Sequence, residues 1–200
     1  MNVLLINSSP QQQNASTYCV AKTLLEQWSQ DNEVLLQEIN VTTIPHVDSA
    51  YATALGSIHG EHDESVGSLA LSNQLITSLD FADVVIITSP MHNYSVPSGL
   101  KNWIDHVVRV GKTFNVSSTG KHGLLRDKPV YILISSGGAF SSQEAYQPDF
   151  FTPYMKEVLA TIGLNNVVFF SVEGTVGHSN EIHQKIEAVQ TEIRTYLRTI

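Results

Sequence analysis

Five short apolar runs, each followed by a segment with helical spacing, constrain this chain more than any other feature. Val3–Ile6 is wholly apolar, the mark of a strand buried on both faces. Val20, Leu24, Leu25 and Trp28 then repeat at helical intervals. "EVLLQEIN" is a second, more polar strand that suits a sheet edge, and "SLALSNQLITSLDFA" has helical spacing again. "DVVIITSP", ending at Pro90, is a third strand, followed by a helix carrying Leu100, Trp103, Ile104 and Val107. "PVYILISSGG" is a fourth strand, and "TPYMKEVLATIG" a helix stopped at Gly163. "NVVFFSVEG" is the fifth strand, and a helix through Ile182, Ile186, Val189, Ile193 and Leu197 follows.

Strand and helix alternating five times predicts a parallel sheet with helices on both faces and right-handed crossovers. Residues 1–200 read as a single α/β domain, a length ample for one core. Two segments depart from the rhythm. Val41 to Glu64 is a long irregular connection. "GKTFNVSSTGKHGLLRDK", residues 111–128, stands between a helix and a strand, where about two to six residues usually suffice. A connection that long is functional or disordered.

The net charge of −8 argues against nucleic acid or an anionic membrane as partner, since both call for concentrated Lys and Arg. No stretch approaches the roughly 18 continuous apolar residues of a membrane span. "MNVLLINSSP" lacks the basic start and long apolar run of a signal peptide, so a cytoplasmic location is expected. The single cysteine, Cys19, excludes an intrachain disulfide and reads as a small core residue. Trp28 and Trp103 read as core, Trp103 close enough to the third strand's loop to border an interface.

In an open parallel sheet, ligands bind beyond the carboxyl ends of the strands. Three loops there carry chemistry. "NSSPQQQNAST" leads into a helix start, where unpaired N–H groups and the helix dipole make an anion site without formal charge. Ser9, Ser16 and Thr17 are placed to hold a phosphate; alternatively Ser16 or Thr17 simply caps the helix. Neither G-x-G-x-x-G nor G-x-x-x-x-G-K-[ST] occurs; a triphosphate would want that Lys and Mg²⁺, whereas a lone monophosphate needs neither. In "SPMHNYSVPSG", Pro90, Met91, His92, Asn93 and Tyr94 offer backbone N–H groups and flat apolar surface together, as a planar heteroaromatic ligand requires. In "SSGGAFSSQ", Gly137 and Gly138 let backbone approach a ligand edge with no Cβ between.

These loops resemble the FMN-dependent NADH:azoreductase and NADH:quinone oxidoreductase family. The middle block carries most of the likeness: Pro90, Met91 and Asn93, then Leu100, Lys101, Asn102, Trp103 and Asp105, then Arg109, Gly111, Thr113 and Phe114. The resemblance implies a flavodoxin-like doubly wound sheet of five parallel strands in the order 2-1-3-4-5. It implies that Ser9, Ala15, Ser16 and Thr17 hold the phosphate of FMN. Met91 to Tyr94 would line the isoalloxazine, and Ser135, Ser136, Gly137 and Gly138 would approach its pyrimidine edge. It implies a homodimer, with residues 111–128 as an arm that carries Phe114 over the substrate side of a flavin. Ping-pong transfer from NADH or NADPH to quinones or azo compounds follows from the same likeness. Gln11 replaces an arginine common in the family, and His92, Tyr94 and Ser136 replace its Tyr, Phe and Arg. His92 reads equally as a proton donor, imidazole being the side chain that ordinarily changes charge near neutral pH, or as a neutral ring against the flavin.

Two rivals stand beside this reading. A flavodoxin-type carrier would bind FMN without turning over NADH. A hydrolase would use Ser8 or Ser9, but no G-x-S-x-G elbow exists. His59, His62 and Asp63 of "HGEHDE" have a metal-like spacing; in so polar a connection the segment reads as a solvated loop, and no metal is expected.

Overall fold

A computed structural model of the chain describes residues 1–56, 63–143 and 145–200. Strands β1 (Asn2–Asn7), β2 (Leu35–Asn40) and β3 (Val84–Pro90) pair in parallel with β6 (Val130–Ser136) and β7 (Val167–Glu173). The sheet order is β2-β1-β3-β6-β7. Counted without the two strands of a separate hairpin, that is the expected 2-1-3-4-5. The period of two along each central strand feeds two cores at once. Leu4 and Ile6 of β1, Val85 and Ile87 of β3, and Ile132 and Ile134 of β6 enter one core. Val3, Leu5, Val84, Ile86, Tyr131 and Leu133 enter the other. Continuous apolar runs were therefore the right signal for strands covered on both faces, and β2, mostly exposed, is the edge.

Helices α3 (Gly67–Phe81), α4 (Ser98–Val107) and α5 (Thr152–Thr161) cover the first face; Leu79, Leu100, Trp103 and Met155 are fully buried there. Helices α1 (Ser16–Asp31) and α6 (Ser179–Leu197) cover the second through Leu24, Val189 and Ile193. The chain thus leaves β1 toward one face and β3 toward the other, which opens a crevice between their carboxyl ends. Among the described residues no helix is long and apolar enough to cross a membrane.

Three expectations change. The connection after β2 is not wholly irregular, since it holds helix α2 (Ser49–Gly56), anchored where the Tyr51 hydroxyl donates to the Asp105 carbonyl at 2.8 Å. Residues 111–128 contain an ordered antiparallel hairpin, β4 (Phe114–Ser117) with β5 (Gly120–Gly123). It packs so closely on the end of α5 that a Cβ on Gly123 would stand 2.2 Å from the Gly163 nitrogen. Cys19 is half-buried, not core.

The Arg109–Phe114 stretch, prominent in the resemblance, proves to be a brace for this hairpin. The Arg109 guanidinium, buried, donates to Glu64 at 2.7 Å and to Asn73 at 2.9 Å. Thr113 donates its hydroxyl to the Val107 carbonyl at 2.6 Å. Lys128 closes the far end: its ammonium donates to the carbonyls of Leu79, Asp80 and Ala82 where α3 stops. Burial pushes its pKa down, yet three acceptors engage three donors, so the charged form is the bonded one.

Candidate cofactor site

A cavity of about 540 Å³ opens at the carboxyl rim of β1, β3, β6 and β7. It falls within the roughly 300–1,000 Å³ usual for small-molecule and cofactor sites. Its walls bring together Ser9, Ala15 and Ser16 from the first loop, Pro90, Met91 and His92 from the second, and Ser135 and Gly137 from the third. Three loops separate in sequence meet because parallel register aligns the strand ends: Asn7 stands beside Thr88, and Pro90 beside Ser135.

The first loop is held rigid from within. Asn7 Oδ1 accepts from the Ser9 N–H, and Gln12, at φ 51°, donates from Nε2 to the Ser9 carbonyl at 2.7 Å. The Ser9 hydroxyl accepts from the Gln11 N–H, which leaves its own hydrogen to donate elsewhere. Helix α1 then starts with Ala15 at its N-cap and no side-chain cap. The N–H groups of Tyr18 and Cys19 reach the Ala15 carbonyl, whereas those of Ser16 and Thr17 have no hydrogen-bond partner among the described residues. The capping alternative for Ser16 and Thr17 is therefore wrong: both lie inside the first turn, and their hydroxyls do not close it. Thr17 is 0% exposed, and its Oγ1 is a buried polar atom with no partner. It belongs to the same turn but not to the cavity wall.

In the second loop, His92 and Ser95 exchange two backbone hydrogen bonds at 2.9 and 3.0 Å. Asn93 and Tyr94 span that tight turn at φ 51° and 69°. A tyrosine in the left-handed region is uncommon and strained by about 1–3 kcal/mol. The turn carries Asn93 and Tyr94 outward, so neither lines the cavity, contrary to expectation. In the third loop, Ser136 is buried and its hydroxyl accepts from Gln147 Nε2 at 3.2 Å and from the Gly138 N–H at 3.4 Å. Gly138 is boxed in: a Cβ there would meet Gln147 at 2.6 Å and Tyr146 at 2.9 Å. Neither residue lines the cavity; Ser135 and Gly137 do. Phe114 sits at the base of the hairpin, 9% exposed, with the Lys121 ammonium 5.3 Å from its ring centre. Within this chain it covers no part of the cavity, because the hairpin docks on α5 instead.

Five wall residues were missed, among them Pro10 of the first loop. Thr175 and Val176 come from the turn after β7, and Ile182 from the first turn of α6. Gln11, where the resemblance often has arginine, also lines the cavity. Among the described residues no lysine or arginine lines it. Ser8 is no nucleophile, since it is buried and its hydroxyl donates to the Thr88 carbonyl at 2.9 Å. His59 and His62 lie outside the described residues, and Asp63 accepts from the Ser65 N–H.

A rim cavity over an open parallel sheet in the order β2-β1-β3-β6-β7 is the flavodoxin-like arrangement. The comparisons agree. The family described as "Flavodoxin-like fold" matches residues 1–197. A protein of Burkholderia lata named FMN-dependent NADH:quinone oxidoreductase 5 is 39% identical over 176 residues, covering 86% of this chain and 85% of its own. A Pseudomonas fluorescens protein named FMN-dependent NADH:quinone oxidoreductase 4 is 34% identical over 195 residues, covering 96% and 93%. An azoreductase of Bacillus anthracis superposes over 100% of both chains with a TM-score of 0.83 at 20% identity, a likeness of fold. The chain belongs to the flavodoxin-like family that contains these FMN-dependent NADH:quinone oxidoreductases.

Proposed function

We infer that the rim cavity holds FMN and that the chain is an FMN-dependent NADH:quinone oxidoreductase, like the relatives it matches across most of its length. The observation that carries this reading is the start of α1. Two unpaired amides lie in one turn at the cavity's edge, beside the orphaned Thr17 hydroxyl, and a phosphate monoester supplies the acceptor the amides lack. When bound, FMN would supply two-electron chemistry, by which a hydride from a nicotinamide would be passed on to a second molecule in a ping-pong cycle.

The chain's own groups then have definite tasks. The N–H groups of Ser16 and Thr17, with the Ser9 and Ser16 hydroxyls, hold the phosphate. Met91 and His92 bound the ring system. Gly137 presents backbone to the cavity, so its N–H is the donor best placed to face negative charge on a pyrimidine edge; the Gly138 N–H is turned toward Ser136. No side-chain acid is required, since water can supply protons, and His92 lines the wall within reach of doing so. The acceptors are flat aromatic molecules such as quinones and azo compounds. Exposed Tyr94, Tyr146 and Phe150 support that class, and they also suit a homodimer in which one copy's hairpin covers its partner's site. NADH, more than NADPH, fits a wall without lysine or arginine.

Anaerobic mixing of FMN-loaded protein with NADH tests the reading. The flavin absorbance should bleach within the dead time of manual mixing and return on addition of menadione. Bound FMN that stays oxidised would leave only an electron carrier.

A further inference from the structure

The cavity's fourth wall is a turn that neither the three loops nor the resemblance includes. It begins at Gly174, φ 67°, whose carbonyl accepts from Lys185 Nζ at 2.6 Å. The Thr175 N–H donates to the Ser136 carbonyl at 3.0 Å. Gly177 closes the turn at φ 154°. Between these fixed points Val176 is held at the cavity's mouth, 83% exposed. A Cβ on Gly137 would stand 2.9 Å from Val176 Cγ2, so the glycine is what admits the valine methyl to this position. Ile182 adds a second apolar group to the same wall. A lone exposed valine is ordinary; one pinned over the opening of a ligand cavity has surface left to cover.

The opposite end of the cavity explains why that matters. Charge-assisted hydrogen bonds are about twice as strong as neutral ones. The wall contains no lysine or arginine, and residues 57–62 and 144, outside the described set, include none either. The chain's net charge of −8 further opposes an incoming dianion. No cationic side chain of the wall therefore helps to hold the cofactor.

Building on the FMN reading above, we propose that Val176 is the cofactor-retaining residue: its methyl groups pack on the part of the flavin common to FMN and riboflavin and set the rate at which the cofactor leaves. The phosphate cradle selects the ligand; the apolar lip keeps it.

The test is flavin release, followed as recovery of fluorescence after dilution, for FMN and for riboflavin. Val176→Ala should speed release of both by the same factor, about tenfold, or about 1.4 kcal/mol. Val176→Ile should keep the wild-type rate. The melting temperature of the flavin-free protein should not move, because the side chain is exposed without ligand. Wild-type release from Val176→Ala would overturn the proposal. So would an effect on FMN alone, or a lowered melting temperature accounting for the change. If the wild-type chain binds neither flavin, it is the functional reading that fails.

Discussion

Helices α1 and α5 both begin at the sheet's carboxyl rim, and they treat their first-turn amides in opposite ways. At α5 the donors around the cap are used, and only the Tyr154 N–H lacks a partner among the described residues. The Phe150 N–H reaches the Tyr94 carbonyl at 3.1 Å, Asp149 Oδ1 accepts from Phe151 and Thr152 at 2.9 and 2.8 Å, and Pro153 has no N–H to satisfy. At α1, Ala15 occupies the capping position with nothing to offer, and two amides and a buried hydroxyl go without partners. A helix start costs nothing special when closed, so an open one beside a cavity is best explained by a ligand that closes it. Open amides alone do not mark a functional helix start, since the first amides of α4 and α6 also lack partners among the described residues; what sets α1 apart is the orphaned Thr17 hydroxyl in the same turn and the cavity beside it.

The largest effect should come from making α1 resemble α5. Ala15→Asp supplies a carboxylate cap to the amides that would hold the phosphate and sets two anions against each other. FMN affinity should fall about a hundredfold, roughly 2.7 kcal/mol, in a fluorescence titration. Ala15→Asn, which caps without charge, should lose less, and the ratio of the two measures repulsion apart from competition. Unchanged FMN affinity in both would mean that the start of α1 is not the phosphate site.

The converse change is smaller. Asp149→Ala opens α5 by stranding the amides of Phe151 and Thr152, and should cost about 1 kcal/mol of stability in urea unfolding. FMN affinity should stay within about twofold of wild type. A hundredfold loss would show that α5's closed start also belongs to the binding machinery.

The same pair of helices shows what the sequence could and could not reveal. β1, β3 and β6 were legible because strands covered on both faces must be apolar throughout. The β4–β5 hairpin was not, because Phe114–Ser117 and Gly120–Gly123 are largely exposed and carry no alternation. "SAYATALG" is too short and too isolated to announce α2. The rule that ligands gather after parallel strands found three walls of the cavity. Applied to "VEGTVGHSN" it would have found the fourth, and Ile182 was missed because its helical spacing already suited the core. Whether Ser16 caps its helix or lies within it depends on where the helix starts, a matter of one residue that composition does not encode.

The smallest effect concerns Glu173, which ties the third loop to the fourth wall. Its Oε2 accepts from the Phe140 N–H at 3.0 Å, and its Oε1 accepts from the Ser171 hydroxyl at 2.9 Å. Burial alone would raise its pKa, but hydrogen bonds from Ser141, Phe140 and Ser171 outweigh burial and hold it below the usual carboxylate range. A depressed pKa in the folded state contributes stability above the unfolded value of about 4.3, lost as pH falls through the lower folded value. Glu173→Gln should therefore be less stable than wild type at neutral pH by about 0.5 kcal/mol, a figure discounted for solvent screening. The gap should close as the pH drops below about 4, where the wild-type carboxyl is also neutral. Thermal melts of the two proteins across that range measure it directly. A gap that stays constant would mean that the side chain's shape, not its charge, holds Phe140 and the Gly137 backbone in register with Val176.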